Sequence, residues 1–401
     1  MAGEVKAFVM AAGVGSRLFP FTVKRSKAMV PLLNKPLLQY GLEELKIAGI
    51  KDVTILVKAD KEGIMNYFGD GKKFGLKIRY IEQKENLGTA DAVRYAKDLK
   101  GDFLVVSGDT LFFHEDIRGL MNMYFKTKPD AAMSVTEKED VKAFGKVIFR
   151  GDKLTDIKEK TEEGRGFVNT GMYVFSERIF DAVENIKRRE NGEYYLTDAL
   201  TKLEDVRVYK MAKPWMDVGY PWEILNATEM LIKRIKPKNE GKVERVTIKG
   251  DVVIGKGTVI KSGTYIEGPV VIGENCEIGP NAYIRPNTVI GDNCKVGNAC
   301  EIKNSVIMRG TKIPHLSYVG DSVIDEDCNL GAGTITANLR FDKGDIKVLV
   351  KDKLEDSKRK KLGAFIGRGV QTGINVSINP GVVISPNARI LPGEIVRRNV
   401  V

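Results

Sequence analysis

The chain has 401 residues, of which 43% are hydrophobic and 29% are charged, and its net charge is +11 at pH 7. This length is sufficient for two domains with separate hydrophobic cores, and the composition is typical of a globular, soluble protein. No apolar run reaches the roughly 18 residues that a membrane-spanning helix needs. The first apolar run begins without a preceding signal peptide, so we expect a cytoplasmic protein with no membrane partner.

The positive charge fits either a lysine- and glutamate-rich surface or a field that attracts anionic substrates. Nucleic-acid binding is not expected, because the basic run at 358–361 is short, follows Glu355 and Asp356, and lacks alternating aromatic residues. The four cysteines form no C-x-x-C pair. This spacing argues against zinc and redox motifs and favours a reducing compartment.

The first predicted element is a buried strand over residues 5–10, and the glycines Gly13 and Gly15 follow it. A turn without Cβ atoms lets the backbone approach a ligand, and its unpaired N–H groups suit phosphate. Arg17 and Lys27 add two cations near this turn. Two glycines alone fit an ordinary structural turn as well as they fit a phosphate-binding turn. Together with two cations, they suit a nucleoside triphosphate.

The longer string around this turn resembles the signature of the sugar-1-phosphate nucleotidylyltransferases. It comprises A-A-G-x-G-x-R-L-x-P-x-T at 11–22, K-x-M-x-P at 27–31 and N-K-P at 34–36. It differs from the dinucleotide and P-loop fingerprints. Ser26 departs from the family's usual proline but removes no charge. The resemblance implies nucleotide binding by Ala11, Ala12, Gly13 and Gly15 and catalysis by Arg17 and Lys27.

Strand and helix patterns alternate through the first half of the chain. The patterns predict strands at 53–57, 78–81 and 103–106 and helices at 37–48 and 89–99. This alternation predicts an α/β, Rossmann-like fold with a mostly parallel sheet and helices on both faces. Ligands of such sheets bind beyond the carboxyl ends of the strands, where the Gly13 turn, Gln83 and Asp109 lie.

Gln83 can both donate to and accept from a base edge, although a glutamine after a strand is usually a surface residue. Together with Gly88 and Thr89 it resembles the family's base-reading element, in a form typical of uridylyltransferases. Asp109 alone suits a helix cap, but with a second carboxylate it suits Mg²⁺. By resemblance that second metal ligand is Asp217, in a W-x-D-x-G string that favours thymidylyltransferases. The indications for UTP and for dTTP therefore conflict.

Further strings resemble the family's sugar pocket and imply that Gly145, Glu159 and Asn169 bind the sugar 1-phosphate. The string E-Y-Y-L-T-D at 193–198 also matches, although packing at a helix start explains it equally well. A helix over 226–236 then ends the predicted nucleotidylyltransferase domain, 1–236, and residues 237–244 are predicted to form a linker.

The second half has a six-residue apolar period, with Ile or Val at every sixth position from Ile248 to Ile302 and again from Ile366 to Ile390, except at Thr372. This period predicts a parallel β-helix over 245–401, with about 18 residues per coil and a rise of roughly 4.8 Å. It resembles the left-handed hexapeptide-repeat proteins. Each cysteine lies four residues after an apolar anchor, which predicts packing inside the coil rather than catalysis.

Five-residue steps after Ile302 and after Val319 interrupt the period, and His315 lies between them. A lone histidine is usually a surface or core residue, but the strings from 285 to 338 resemble the acetyltransferase half of GlmU-type bifunctional enzymes. The resemblance implies that His315 accepts a proton from an attacking amine. It also implies acetyl-CoA at Ala332 and a hexosamine 1-phosphate held by Arg285, Lys303, Tyr318, Asn329 and Asn338. Gly367-Arg368-Gly369 departs from the family's small-residue pattern near coenzyme A.

The sequence therefore predicts a bifunctional enzyme of UDP-N-acetylglucosamine synthesis. It would acetylate glucosamine 1-phosphate and join the product to UTP with Mg²⁺, and the β-helix resemblance implies a homotrimer or a multiple of a trimer. Two alternatives stay open. One is a glucose-1-phosphate thymidylyltransferase or uridylyltransferase whose β-helix serves only assembly. The other is a non-catalytic regulatory scaffold, against which the paired cations and carboxylates argue.

Overall fold

The structure, a computed structural model, describes residues 5–142, 144–159 and 164–400. The chain divides into two compact units. The first contains Met1–Val14, Arg25–Met29 and Leu37–Asp217, and the second contains Gly15–Lys24, Val30–Pro36 and Val218–Val401. In the part of the chain that the structure describes, no helix has the length and apolar character to span a bilayer. The boundaries at 236 and 244 stay predictions.

Within the described residues, a nine-stranded mixed sheet forms the centre of the first unit. Its strands are β1 (Lys6–Met10), β2 (Asp52–Val57), β3 (Lys77–Glu82), β4 (Phe103–Ser107), β5 (Ala131–Lys138), β6 (Gly145–Arg150), β7 (Lys153–Glu159), β8 (Gly166–Phe175) and β9 (Val206–Lys210). They lie in the order β3-β2-β1-β4-β8-β5-β9-β7-β6. The first four strands in this order are parallel, as predicted. The remainder is mixed, because β8 runs antiparallel to β4 and the turn at Gly151 folds β6 onto β7.

Helices cover two separate hydrophobic cores of this unit. The helices of the first unit are α1 (Leu37–Ala48), α2 (Lys61–Phe68), α3 (Thr89–Arg94), α4 (His114–Thr127), α5 (Arg178–Glu184) and α6 (Leu196–Leu200). Helix α7 (Glu223–Leu231) belongs to the second unit. Ala7 and Val9 of β1 pack in one core with α1 and α4, while Phe8 packs in the other with α3 and α5. This alternation follows from the two-residue repeat of a strand and confirms helices on both faces.

Short strands and 3₁₀ turns complete the first half of the chain. Thr110–Leu111 pairs antiparallel with Met216–Asp217, which aligns Asp217 with Thr110. Pro31–Leu32 pairs with Lys35–Pro36. The 3₁₀ turns are Ser16–Leu18, Lys27–Met29, Lys72–Phe74, Lys97–Leu99 and Ile232–Arg234. The pairing of the strand at Asp217 therefore brings this residue next to the end of β4.

The second unit contains the predicted parallel β-helix, whose short strands stack into three faces. The first face holds Lys238–Asn239, Val252–Ile254, Val270–Ile272, Thr288–Ile290, Val306–Ile307, Val323–Ile324, Phe365–Ile366 and Val383–Ile384. The second face holds Lys242–Val243, Val259–Ile260, Glu277–Ile278, Lys295–Asn298 and Lys312–His315, and Asn329 bridges it to Gln371–Thr372 and Arg389–Ile390. The third face holds Thr247–Lys249, Tyr265–Glu267, Tyr283–Ile284, Glu301–Lys303, Tyr318–Gly320, Ile335–Thr336, Ser377–Ile378 and Ile395–Val396. Strand pairing thus begins at Lys238, inside the segment predicted as a linker.

The coils have the predicted length except at the two five-residue steps. Ile254 pairs with Ile272, so this coil contains 18 residues. After the shortened steps, Ile302 pairs with Val319 and these coils contain 17 residues. The periodic Ile and Val side chains from Ile254 onward form one continuous buried core, whereas Ile248 is 39% exposed. All four cysteines are buried in that core without disulfides, which confirms the predicted packing role.

The stretch between Asn338 and Phe365 leaves the coil, as the loss of the period predicts. It contains an antiparallel pair of strands, Lys347–Val350 and Lys353–Asp356. The coil then resumes, because Val323 of the preceding turn pairs directly with Phe365. Ile346, Val348 and Leu362 are buried, so the insertion is packed rather than fully exposed.

Candidate active sites

A cavity of about 340 Å³ lies at the carboxyl ends of β1, β2 and β4 in the first unit. Ala12, Gly13, Gln83, Gly88, Thr89 and Asp109 are among its lining residues. A Cβ on Gly13 would meet no atom within 4 Å, so the cavity is open to a ligand at this point of the backbone. Ala11 lies beside it with its N–H bonded to the Leu56 carbonyl at 2.9 Å.

The turn before α3 fixes one wall of this cavity. Gly88 has a φ of +100°, and a Cβ there would lie 2.5 Å from the Tyr194 carbonyl oxygen, so only glycine fits without displacing the backbone. The Thr89 hydroxyl accepts the Leu196 N–H at 3.0 Å. Thr89 thus has a structural hydrogen bond in addition to its place on the cavity wall.

Gln83 is buried and its amide nitrogen donates to Asp91 Oδ2 at 3.1 Å. A carboxylate accepts hydrogen bonds and cannot donate when ionised, so Asp91 determines which end of the Gln83 amide is nitrogen. This contact gives the Gln83 amide a fixed order of donor and acceptor. Sequence reasoning missed Asp91; its position in the first turn of α3, eight residues after Gln83, was the available signal.

Lys27 links the two predicted metal ligands. Its Nζ lies 2.6 Å from Asp217 Oδ1 and 2.8 Å from Asp109 Oδ2. The Lys27 side chain is 8% exposed, against 35% for Asp109 and 24% for Asp217. Burial alone lowers the pKa of Lys27, but the two carboxylates outweigh burial and raise its pKa above the ordinary value. Lys27 therefore remains a cation at physiological pH.

The remaining residues of the nucleotide signature lie in the second unit. Gly15 has a left-handed conformation, with φ +71°, and its carbonyl accepts the Thr22 hydroxyl at 3.0 Å. The guanidinium of Arg17 lies 4.9 Å from the centroid of the Tyr220 ring, which stacks on Trp222. The ring face attracts the cation and restricts the Arg17 side chain.

A second cavity of about 260 Å³ shares Asp109 and Glu159 with the first. Gly145, Asn169 and Asp217 also line it. A Cβ on Gly145 would lie 2.8 Å from Glu159 Oε1, so a larger residue there would displace the Glu159 carboxylate. The structure therefore brings the predicted nucleotide, metal and sugar residues of the first unit into two adjoining cavities.

Two polar side chains of the second cavity, those of Glu159 and Asn169, are held by hydrogen bonds within the first unit. Glu159 Oε1 accepts the Thr197 hydroxyl at 2.9 Å. Asn169 donates to the Tyr173 hydroxyl at 2.6 Å and accepts the Gly171 N–H at 3.1 Å. Thr197 comes from the E-Y-Y-L-T-D string, so this string contributes a residue that holds Glu159 in place.

Four predicted sugar-phosphate residues lie on the third face of the β-helix or at the corner that follows it. Lys303 Nζ lies 2.8 Å from Asp321 Oδ2, and Asn338 donates to the Tyr318 hydroxyl at 3.1 Å. Arg285 pairs with Glu301 at 2.8 Å, and this hydrogen bond raises its pKa. Burial raises the pKa of Tyr318, and the negative charge of Asp321 raises it further.

His315 and Asn329 belong to the second face instead. His315 is exposed at the end of its strand, and its carbonyl accepts the Ser317 hydroxyl at 2.8 Å. Ala332 follows the bridge at Asn329, and its carbonyl accepts the Asn375 N–H at 2.8 Å. Arg368, the departure near the predicted coenzyme A site, pairs with Glu326 at 2.7 Å. Within this one chain, the predicted acetyltransferase residues thus divide between two faces.

Comparison with known proteins gives the family. Residues 6–234 match the nucleotidyl transferase family, and residues 266–353 match the GMPPB C-terminal domain. The chain is 44% identical over 404 residues to the bifunctional sugar-1-phosphate nucleotidylyltransferase/acetyltransferase of Sulfurisphaera tokodaii, with 99% of this chain and 98% of that protein covered. The chain belongs to this bifunctional family. The bifunctional protein GlmU of Methanocaldococcus jannaschii is 42% identical over 401 residues, with 98% and 95% covered.

Membership of the GlmU-type family makes this chain an enzyme with a nucleotidyltransferase and an acetyltransferase part, as predicted. A relative named glucose-1-phosphate thymidylyltransferase, from Streptomyces griseus, is 33% identical over 267 residues, covering 64% of this chain and 75% of that protein. A solved structure of a putative enzyme of the same name from Bacillus anthracis superposes with a TM-score of 0.53 at 25% identity, covering 59% of this chain and 98% of that one. These similarities confirm the Rossmann-like fold of the nucleotidyltransferase part.

Proposed function

We propose that the chain acetylates glucosamine 1-phosphate with acetyl-CoA and transfers uridylyl from UTP to N-acetylglucosamine 1-phosphate, releasing pyrophosphate. The observation that carries the second activity is the convergence of Lys27 with Asp109 and Asp217 beside the two adjoining cavities. The Sulfurisphaera tokodaii relative, similar over its full length, bears the names of both activities, and the Methanocaldococcus jannaschii relative is named a bifunctional protein GlmU.

In the nucleotidyl transfer, an oxygen of the sugar 1-phosphate attacks the α-phosphorus in line, and the bond to the pyrophosphate oxygen breaks. The enzyme needs no covalent nucleophile. Negative charge moves onto the departing pyrophosphate, and Lys27 and Arg17 offset it. Gln83 reads the base edge, while Gly145 leaves room for the sugar beside Glu159 and Asn169.

Asp109 and Asp217 suit a Mg²⁺ ion. Two carboxylates, completed by phosphate oxygens and water, are a donor set that this ion prefers. Both side chains are partly exposed and already converge on one positive charge, the Lys27 ammonium. When bound, Mg²⁺ offsets the charge of the triphosphate.

In the acetyl transfer, the amine nitrogen attacks the thioester carbonyl carbon, and coenzyme A leaves as its thiolate when the C–S bond breaks; the thiolate finally takes up the proton that the amine releases. The amine loses a proton, and the exposed imidazole of His315 accepts it. Arg285 and Lys303 hold the phosphate, and the sugar is held by Tyr318, Asn329 and Asn338. Ala332 lies beside coenzyme A.

Separate variants test the two activities. Arg17→Ala should abolish pyrophosphate release and retain acetyl transfer, while His315→Ala should do the reverse. Arg79→Ala, at an exposed pair with Asp52, and His114→Ala, at a pair with Glu44, are the matched controls and should change neither activity. Acetyl transfer that is unchanged in His315→Ala would refute the assignment of this residue and favour a β-helix that serves only assembly.

The preferred base and sugar need a direct comparison. Asp217 and the two relatives named glucose-1-phosphate thymidylyltransferase favour dTTP with glucose 1-phosphate as the second candidate reaction. A panel of UTP and dTTP against glucose 1-phosphate and N-acetylglucosamine 1-phosphate, scored by kcat/KM, decides between them. A preference for dTTP with glucose 1-phosphate would overturn the proposed substrates.

We further propose that the chain forms a homotrimer and works in a reducing cytoplasm. The β-helix unit exposes apolar side chains at Leu339, Phe341 and Leu354, which subunit contacts would cover. The four buried thiols are unpaired, which suits a reducing compartment. Light scattering after size exclusion measures the oligomer, and a monomeric mass would contradict the trimer.

A further inference from the structure

The two shortened coils align three polar residues at one corner of the β-helix. Asn304, Asp321 and Asn338 are successive members of a stack with a spacing of 17 residues. Asn304 and Asp321 have left-handed backbone conformations, with φ values of +44° and +50°. We call this stack the corner column. The five-residue steps that break the apolar period thus lie at the corner column.

Asp321 is the centre of the corner column. Its side chain is 2% exposed, so its carboxylate is almost completely removed from water. Oδ1 accepts the Asn304 amide at 2.8 Å, and Oδ2 accepts the Asn338 amide at 2.5 Å and the Lys303 ammonium at 2.8 Å. A buried carboxylate is costly unless its oxygens are paired, and here both oxygens are paired.

The corner column continues into helix α7. The Asn304 amide nitrogen also donates to Glu229 Oε1 at 3.0 Å, so both of its N–H groups have carboxylate partners. Glu229 Oε1 accepts Arg359 of the insertion at 2.6 Å as well, and Arg359 also bonds to Asn226 of α7. Glu229 therefore anchors Asn304 from outside the coil.

We propose that Asp321 is a positioning residue for the acetyl-transfer site and that Glu229 supports it through Asn304. This inference rests on the proposed acetyl transfer. Lys303 and Asn338 are the groups assigned to the phosphate and the sugar, and one carboxylate oxygen holds both. Fixing these two long or rotatable side chains before the substrate arrives lowers the entropy cost of binding it.

Asp321→Asn tests the proposal because it keeps the shape and removes the charge that holds Lys303. The KM for glucosamine 1-phosphate should rise about tenfold, with kcat changed much less, since the variant loses a charge-assisted hydrogen bond and not the base. Calorimetric titration of glucosamine 1-phosphate should show the same loss in Kd. Glu229→Gln keeps an oxygen acceptor and should raise KM only about threefold.

The matched control is Asp325→Asn, since Asp325 is a buried aspartate of the same β-helix whose Oδ1 accepts the Glu326 N–H at 2.8 Å. It should leave the KM for glucosamine 1-phosphate unchanged. An unchanged KM and Kd in folded Asp321→Asn would overturn the proposal. If that variant does not fold, an unchanged KM in Glu229→Gln overturns it instead. Absence of acetyl transfer in the unaltered enzyme would overturn the proposed function itself, so the two failures are distinguishable.

Discussion

Replacing Lys27 by methionine removes the charge that holds Asp109 and Asp217 together while keeping a side chain of similar length. Breaking a buried ion pair by removing one partner costs about 3–5 kcal/mol. Asp109 and Asp217 are 35% and 24% exposed, and water reaches them. We therefore expect a smaller loss, about 2–3 kcal/mol in the free energy of unfolding, at or just below the lower limit of that range.

The same variant should reduce kcat for nucleotidyl transfer by a factor of about 10²–10³, which is typical of removing one donor that stabilises transition-state charge. Because the raised pKa keeps Lys27 protonated, its contribution to stability is fully present below its unfolded-state pKa and is lost only as pH rises through the folded-state value. The stability difference should therefore stay constant between about pH 6 and 9.

Denaturant unfolding and pyrophosphate release measure these two losses. Mg²⁺ should raise the melting temperature of Lys27→Met more than that of the unaltered enzyme, because the variant leaves two uncompensated carboxylates for the ion. Lys61→Met, at a pair with Glu82 in which both side chains are more than 40% exposed, is the control and should cost less than about 1 kcal/mol. Wild-type turnover with unchanged stability in Lys27→Met would refute this account of the site.

Three further predictions concern the base, the thiols and the metal. Asp91→Asn removes the fixed order of donor and acceptor in the Gln83 amide, because asparagine can offer either oxygen or nitrogen. The kcat/KM preference for UTP over CTP should therefore fall about tenfold. An unchanged ratio would contradict the role of Asp91. Burial raises the pKa of Cys294 and Cys328 to about 12, so native protein at pH 8 should not react with Ellman's reagent until guanidinium unfolds it; rapid native labelling would argue against buried thiols. EDTA should stop pyrophosphate release and leave acetyl transfer intact, and loss of both activities would show that the metal serves more than the Asp109 and Asp217 site.

The β-helix was the part of the fold most accessible from sequence. An inward-pointing Ile or Val at every sixth position, as at Ile254 and Ile272, is required by the coil itself, so the pattern appears in the sequence before any pairing is known. The nucleotidyltransferase sheet was predicted only in part. The antiparallel strands that follow β4 depend on short turns, such as the one at Gly151, which carry no long-range pairing signal.

The functional sites, like the fold, were predictable where local sequence patterns define them and not where distant parts of the chain pair. The strand-end positions of Gln83 and Asp109 were predictable, because local patterns define strand ends. The position of Lys27 between Asp109 and Asp217 was not, since it depends on the pairing of two short strands distant in the chain. Asp321 was also missed, although the five-residue step after Val319 marked its corner.

The 17- and 18-residue coils determine which insertions and deletions the β-helix can accept. Duplication of a complete coil would repeat the backbone hydrogen bonds between successive coils and lengthen the β-helix by about 4.8 Å. A single residue inserted beside Asn304 would instead move it out of line with Asp321. The β-helix should therefore tolerate insertions and deletions only of whole coils or within the insertion that follows Asn338.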